Sequence, residues 1–195
     1  MKRTVRSYPA TVLTLSPVEL RARLKCPPEQ VQALLDIWLP QVRASAVCRV
    51  CAVETEIHRN GGLHLGSLTV ESHGLEAVLN GCDCALVMAA TLGAGTDRLL
   101  MQAALRSPAQ QYIADAVASA LIEALCDRAE DDLCAGRPHT HRFSPGYGDL
   151  PLGIQPDLLN LLDAHRQIGL ALTDSLLMTP TTSVTAVIGL RNPTL

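Results

Sequence analysis

The chain of 195 residues is 48% hydrophobic and 18% charged, which excludes intrinsic disorder and supplies one hydrophobic core at a single-domain length. Its net charge of −3 argues against a nucleic-acid binder, which needs a basic face to displace counterions. Five aromatic residues in all, Trp38, Phe143, Tyr8, Tyr112 and Tyr147, leave little for base stacking.

The basic start from Met1 to Arg6 runs into Tyr8-Pro9-Ala10-Thr11, too polar and broken for the apolar stretch of a signal peptide. Ser16-Pro17-Val18-Glu19 predicts a helix start, with Ser as cap, Pro at the first helical position and Glu closing a capping box. A second helix is expected after Pro27-Pro28, with Val31, Leu34, Leu35 and Trp38 on one face and Pro40 ending it. From Ala44 to Ile57 the run is rich in β-branched residues. Asn60-Gly61-Gly62 with Leu63, Leu65, Leu68 and Val70 then predicts a hairpin. Cys84 to Ala89 reads as a buried strand, with a short helix as the alternative, and the longest apolar run, Cys84 to Ala90, is far too short to span a membrane.

Thr96 is placed to cap a helix carrying Leu99, Leu100, Ala103 and Ala104, and Pro108 opens a longer one with Ile113, Val117, Ala120, Leu121, Ala124 and Leu125 at helical spacing. Gly136 to Gly153 is a loop dense in Gly, Pro, His and Arg. Gln155 to His165 follows as a helix, and Ser175 to Leu190 as a hairpin around Thr179-Pro180-Thr181. The sum is one α+β domain over residues 1–195 with antiparallel pairing and no repeat or linker.

Seven cysteines in a chain large enough to dispense with disulfides imply a reducing, cytoplasmic location. Cys48-x-x-Cys51 and Cys82-x-Cys84 invite zinc. The second pair is misspaced and both lie in apolar, strand-like sequence, so core thiols and no metal are expected. Gly93-Ala94-Gly95 lacks the third glycine of a dinucleotide loop, Arg98 holding its place, and reads as a turn. Asp163-Ala164-His165-Arg166-Gln167-Ile168-Gly169 resembles a cobalamin-ligand signature with one residue too many before its glycine. It reads as a helix end closed by Gly169. His139-Thr140-His141 has no identifiable partners for a metal. Arg142-Phe143-Ser144-Pro145-Gly146-Tyr147-Gly148-Asp149 stands apart: a cation, a rigid turn presenting amides, then an aromatic ring. That set suits a small anion-bearing ligand with a flat or cationic portion, and equally a plain surface loop with a core-docked Tyr.

Arg142-x-x-Pro145-Gly146-Tyr147, the Leu-rich helix after it, Ile168 to Ser175, Met178 and Ser183-Val184-Thr185 together resemble the activation domain of cobalamin-dependent methionine synthase. The likeness covers residues 85 to 195, opening with Ala89-Ala90-Thr91-Leu92-Gly93 and strongest from Arg142 onward, while residues 1 to 80 align with nothing recognisable. The resemblance implies a twisted antiparallel sheet with flanking helices that binds S-adenosylmethionine (AdoMet). It further implies remethylation of cobalamin oxidised to Co(II), once an electron donor such as flavodoxin has acted. The homocysteine, folate and corrin-binding regions of a complete synthase are lacking. The chain therefore reads as a free-standing member whose cobalamin is carried by a partner, a separate methionine synthase or corrinoid protein.

By the same resemblance Arg142 takes the methionyl carboxylate, Pro145 and Gly146 bring the backbone close, and Tyr147 packs on the ligand. Glu123, on the preceding helix, meets the ammonium or sulfonium. No catalytic side chain is implied: the cofactors do the chemistry while the protein aligns the methyl and excludes water. A concave and comparatively apolar surface is expected beside Arg142 and Tyr147. The chain departs from the family at Val187-Ile188-Gly189, where the last strand can carry an aromatic pair, and the family's N-terminal acidic contact is not located. Two other readings stay open, a docking or scaffold protein that has lost AdoMet and an AdoMet-dependent methyltransferase for an unrelated substrate.

Overall fold

The computed structural model describes residues 3–191. Its sheet is built on β2 (Cys48–His58), β5 (Cys84–Thr91) and β8 (Ser183–Leu190), all antiparallel, with β1 (Arg3–Tyr8), β3 (Leu63–Leu65) and β4 (Leu68–Val70) beyond β2. Side chains alternate across a strand, and here both faces are covered. Val50, Ala52, Leu86, Met88, Ala186 and Ile188 pack under one helical layer, while Cys51, Val53, Ala85, Val87 and Val187 pack under the other. That double burial is why the central strand β5 reads as an unbroken apolar run, whereas β2 is interrupted by the exposed Arg49, Glu54 and Glu56.

The first layer holds α1 (Pro17–Leu24), α2 (Pro28–Ser45), α4 (Ala94–Arg106) and α5 (Pro108–Cys134). The second holds α3 (His73–Val78), α6 (Gln155–Leu162) and α7 (Ala164–Ile168). A small ribbon of β6 (Ala171–Leu172) and β7 (Met178–Thr179) lies apart. The 27-residue α5, about 40 Å long, is opened by the Ser107 side chain accepting from Gln110 N–H, and Pro108 follows as the first helical residue. Ala114, Val117, Ala118, Leu121 and Leu125 share one face of it, and with Ala120 they are buried in the core of this layer. Among the described residues no helix is long and apolar enough to cross a membrane.

Several expectations change. Pro40 does not end α2, which runs on to Ser45. Trp38 and Val42, one turn apart, are both in the core, and their burial offsets the roughly 3 kcal/mol that an internal proline costs. Thr96 lies buried inside α4, whose N-cap is Gly93 at φ 80°. Gly95 is required because a Cβ there would sit 2.1 Å from the Ser45 carbonyl oxygen. The side chain of Glu19, and with it the expected capping box, lies outside the described residues. Asp163, in the left-handed region at φ 53°, splits the expected single helix into α6 and α7, and Gly169 at φ 73° does close α7. The expected hairpin of residues 175–190 does not form: β7 pairs with β6, and β8 crosses to β5, where both its faces are buried. All seven cysteines are free thiols. Cys48 and Cys51, three residues apart on β2, face opposite layers, so one metal ion cannot take both.

Candidate functional site

The distinctive loop leaves α5 through Ala135 at φ 51° and Gly136 at φ 76°, then runs back along the outer edge of β8. His139 lies opposite Leu190 and Phe143 opposite Val187, so the loop takes four steps where the strand takes three. Thr140 N–H donates to the Gly189 carbonyl at 2.9 Å, and Thr140 Oγ1 accepts from Gly189 N–H at 2.9 Å. Phe143 and Val187 exchange a pair of bonds at 2.9 and 2.8 Å. The surplus residue therefore falls at His141-Arg142, a bulge that breaks the alternation and aims Arg142 at α5.

The far end of the loop is pinned to the start of α3. Asp149 accepts from the Ser72 hydroxyl at 2.5 Å and from the His73 and Gly74 amides at 2.7 and 3.0 Å. These donors, the Ser72 hydroxyl foremost, hold the Asp149 carboxyl below the usual carboxylate range. A Cβ on Gly74 would meet Asp149 at 2.9 Å and the Phe143 ring at 3.1 Å. Between the two anchors the chain turns at Gly146, φ 89°, where Gly146 N–H bonds the Leu150 carbonyl at 2.8 Å. Tyr147 meets Phe143 edge-on at 6.5 Å but is 72% exposed, so it is not docked in the core.

Glu123, Asp127 and Glu130 stand four and three residues apart on α5 and so share one face. All three hold Arg142. Its Nη1 donates to Glu130 at 2.6 Å, and its Nη2 donates to Asp127 at 2.8 Å and to Glu123 at 3.2 Å. Burial works against the charge of Arg142; the Asp127 hydrogen bond and the surrounding carboxylates outweigh it and hold its pKa above the ordinary arginine value. The second oxygen of Glu130 lies 3.1 Å from His139 Nε2, and His139 Nδ1 lies 2.8 Å from the Arg137 carbonyl. Behind this group, burial pushes the Cys126 thiol up to about 12, which keeps it neutral and unreactive.

These side chains line a cleft of about 410 Å³ between α5, the loop and β8. Three carboxylates face one guanidinium there, leaving the cleft acidic. Of the residues singled out from the sequence, Arg142, Tyr147 and Glu123 line it, and Pro145 and Gly146 form the turn that carries Tyr147. His141 and Ser144, of the loop singled out from the sequence, and Val184 of β8 also line it, while Asp127 and Glu130 were not foreseen, although the spacing of the acids after Glu123 was visible. The expected apolar concavity is corrected: only Tyr147 and Val184 are apolar among its lining residues, because the face of α5 turned to it is the acidic one. Val187 and Ile188 are buried in the sheet, and Gly189 packs on Cys82 and Leu79, so β8 reaches the cleft through Val184. Among the described residues no group of three His, Cys, Asp or Glu side chains is arranged to hold a metal ion.

Fold and cleft together define an α+β domain whose curled antiparallel sheet carries an acidic pocket at its edge. Residues 83–193 match the family described as vitamin B12 dependent methionine synthase, activation domain, and the chain belongs to that family. No curated protein matches it. Among solved structures it is similar to the crystal structure of the MetH reactivation domain bound to AdoHcy, with a TM-score of 0.74 and 15% identity over 100% of this chain and 80% of that one. That likeness is one of fold, and it extends through the first eighty residues, where no likeness of sequence was found.

Proposed function

We propose that the chain binds AdoMet in the cleft at Arg142 and supports reductive remethylation of cobalamin held by a separate methionine synthase or corrinoid protein in the cytoplasm. One observation carries the reading: a guanidinium, an exposed aromatic ring and carboxylates converge on a single cleft. AdoMet presents the matching set of a carboxylate, a flat purine and two cationic centres. A volume of about 410 Å³ is within the range of small-molecule sites. In this reading Arg142 pairs with the methionyl carboxylate, Tyr147 covers the ligand beside the Pro145-Gly146 turn, and Glu123 faces the ammonium or sulfonium.

The methyl passes from the sulfonium to reduced cobalt on the partner, leaving S-adenosylhomocysteine (AdoHcy), and an electron donor such as flavodoxin supplies the reduction. The protein's work is alignment and exclusion of water. The exposure of Tyr147 supports a mouth open to a second protein.

Calorimetry with AdoMet tests the first half: heat of binding is expected without added metal or corrin. Mixing the chain with a corrinoid protein, AdoMet and a one-electron reductant tests the second, and the methyl-Co(III) spectrum is expected to return. Partner binding without that spectrum would instead mark a scaffold. Recovery at the same rate without the chain would refute the reading.

A further inference from the structure

The donors that Arg142 would offer a ligand are already committed within the chain. A guanidinium takes a carboxylate bidentately either on its Nη1–Nη2 end or on its Nε–Nη2 side, and both include Nη2. Nη2 has two hydrogens, and it donates to Asp127 at 2.8 Å and to Glu123 at 3.2 Å. A ligand carboxylate cannot be gripped at two points until one of these partners leaves.

The three acids are not equally free to go. Glu130 is 14% exposed, its Oε2 is 2.6 Å from Arg142 Nη1, and its Oε1 is tied to His139. The side chain of Glu123 is 37% exposed and that of Asp127 is 66% exposed. Asp127 therefore returns to water at the least cost, and its pair with Arg142 is the most weakened by solvent and salt. We propose that Asp127 and a ligand carboxylate compete for the same donors of Arg142, so that binding exchanges one for the other while Glu130 keeps the guanidinium in place. The inference rests on the reading above, in which Arg142 receives the carboxylate of AdoMet. It makes Asp127 a residue that sets affinity by opposing it, with a sign opposite to that of a ligand-contacting acid.

AdoHcy is the clean probe, since its neutral sulfur removes the sulfonium from the comparison. Calorimetry on the full chain is expected to show Asp127→Asn binding AdoHcy roughly two- to fivefold more tightly than the unaltered protein, the worth of an exposed ion pair. The decarboxylated analogue S-adenosyl-3-thiopropylamine keeps the ammonium and lacks the carboxylate, and its affinity is expected to stay level or fall. The side chain is exposed, so thermal melting should show the variant folded. Equal or weaker AdoHcy binding by Asp127→Asn, with the unaltered protein binding well, overturns the exchange and leaves the AdoMet reading standing. A gain shared equally by the decarboxylated analogue also overturns it. Failure of both proteins to bind AdoHcy or AdoMet removes the reading itself, and the exchange with it.

Discussion

Replacing Arg142 with methionine keeps much of the stem's volume and removes the guanidinium that three carboxylates of α5 share. The loss is not spread evenly. The pair with Asp127 is exposed and screened, so it contributes within the range of roughly 0–1 kcal/mol found at surfaces. The pair with Glu130 joins two mostly buried side chains at 2.6 Å, and a charged hydrogen bond of that kind is worth roughly 1.5–3 kcal/mol. A total of roughly 1.5–4 kcal/mol corresponds to a fall of about 3–16 °C in the melting midpoint for a chain of this length. Differential scanning calorimetry measures it directly. A double-mutant cycle with Glu130→Gln should assign most of the coupling to that pair. Affinity for AdoMet should fall roughly 10- to 100-fold through loss of the ligand's own charged partner. A variant that melts with the unaltered protein and binds AdoMet equally well would refute the account of Arg142 on both counts.

Gly95→Ala should destabilise the chain by roughly 1–3 kcal/mol in urea unfolding, because its Cβ would lie 2.1 Å from the backbone oxygen of Ser45 and neither helix end yields easily. A loss under about 0.5 kcal/mol would mean that α2 and α4 adjust freely. Asp149→Asn should loosen the pinned loop and lower the melting temperature at neutral pH. The folded Asp149 carboxyl titrates below its ordinary value of 3.8, so its contribution is fully present above that value and is lost as pH falls through the lowered one. The two proteins should therefore converge in strong acid, and a gap that persists there would exclude Asp149 ionisation as its source.

Much of this was legible where one periodicity ruled. The apolar repeat and Pro108 announce α5, and the run from Cys84 announces β5, because burial on one stripe or on both faces leaves its mark in composition. Pro40 misleads because a local rule is overridden by the burial of Val42 beyond it. The Thr179-Pro180-Thr181 turn exists, but the partner of β8 is chosen by burial at β5, which no local pattern records. β1 and α3 went unread. The first is a largely exposed, polar strand, and the second is six residues with Leu75 as its buried anchor. In the site, Arg142, Tyr147 and Glu123 came from the resemblance, and Asp127 and Glu130 follow from Glu123 by helical spacing. The aim of Arg142 could not be read, since a surplus residue shows itself only once the register of the loop against β8 is known.

The loop's course along β8 also bears on solubility. β8 is rich in β-branched residues and ends the run of paired strands, so its outer backbone groups would template pairing with another chain if they were bare. Residues Pro138 to Phe143 cover that flank, taking bonds from Gly189, Val187 and Arg191. The segment that carries the cleft is thus also the guard of the sheet's edge. Substitutions that peel it away should cost ligand affinity and colloidal stability together, and a ligand that clamps it should protect the protein against self-association.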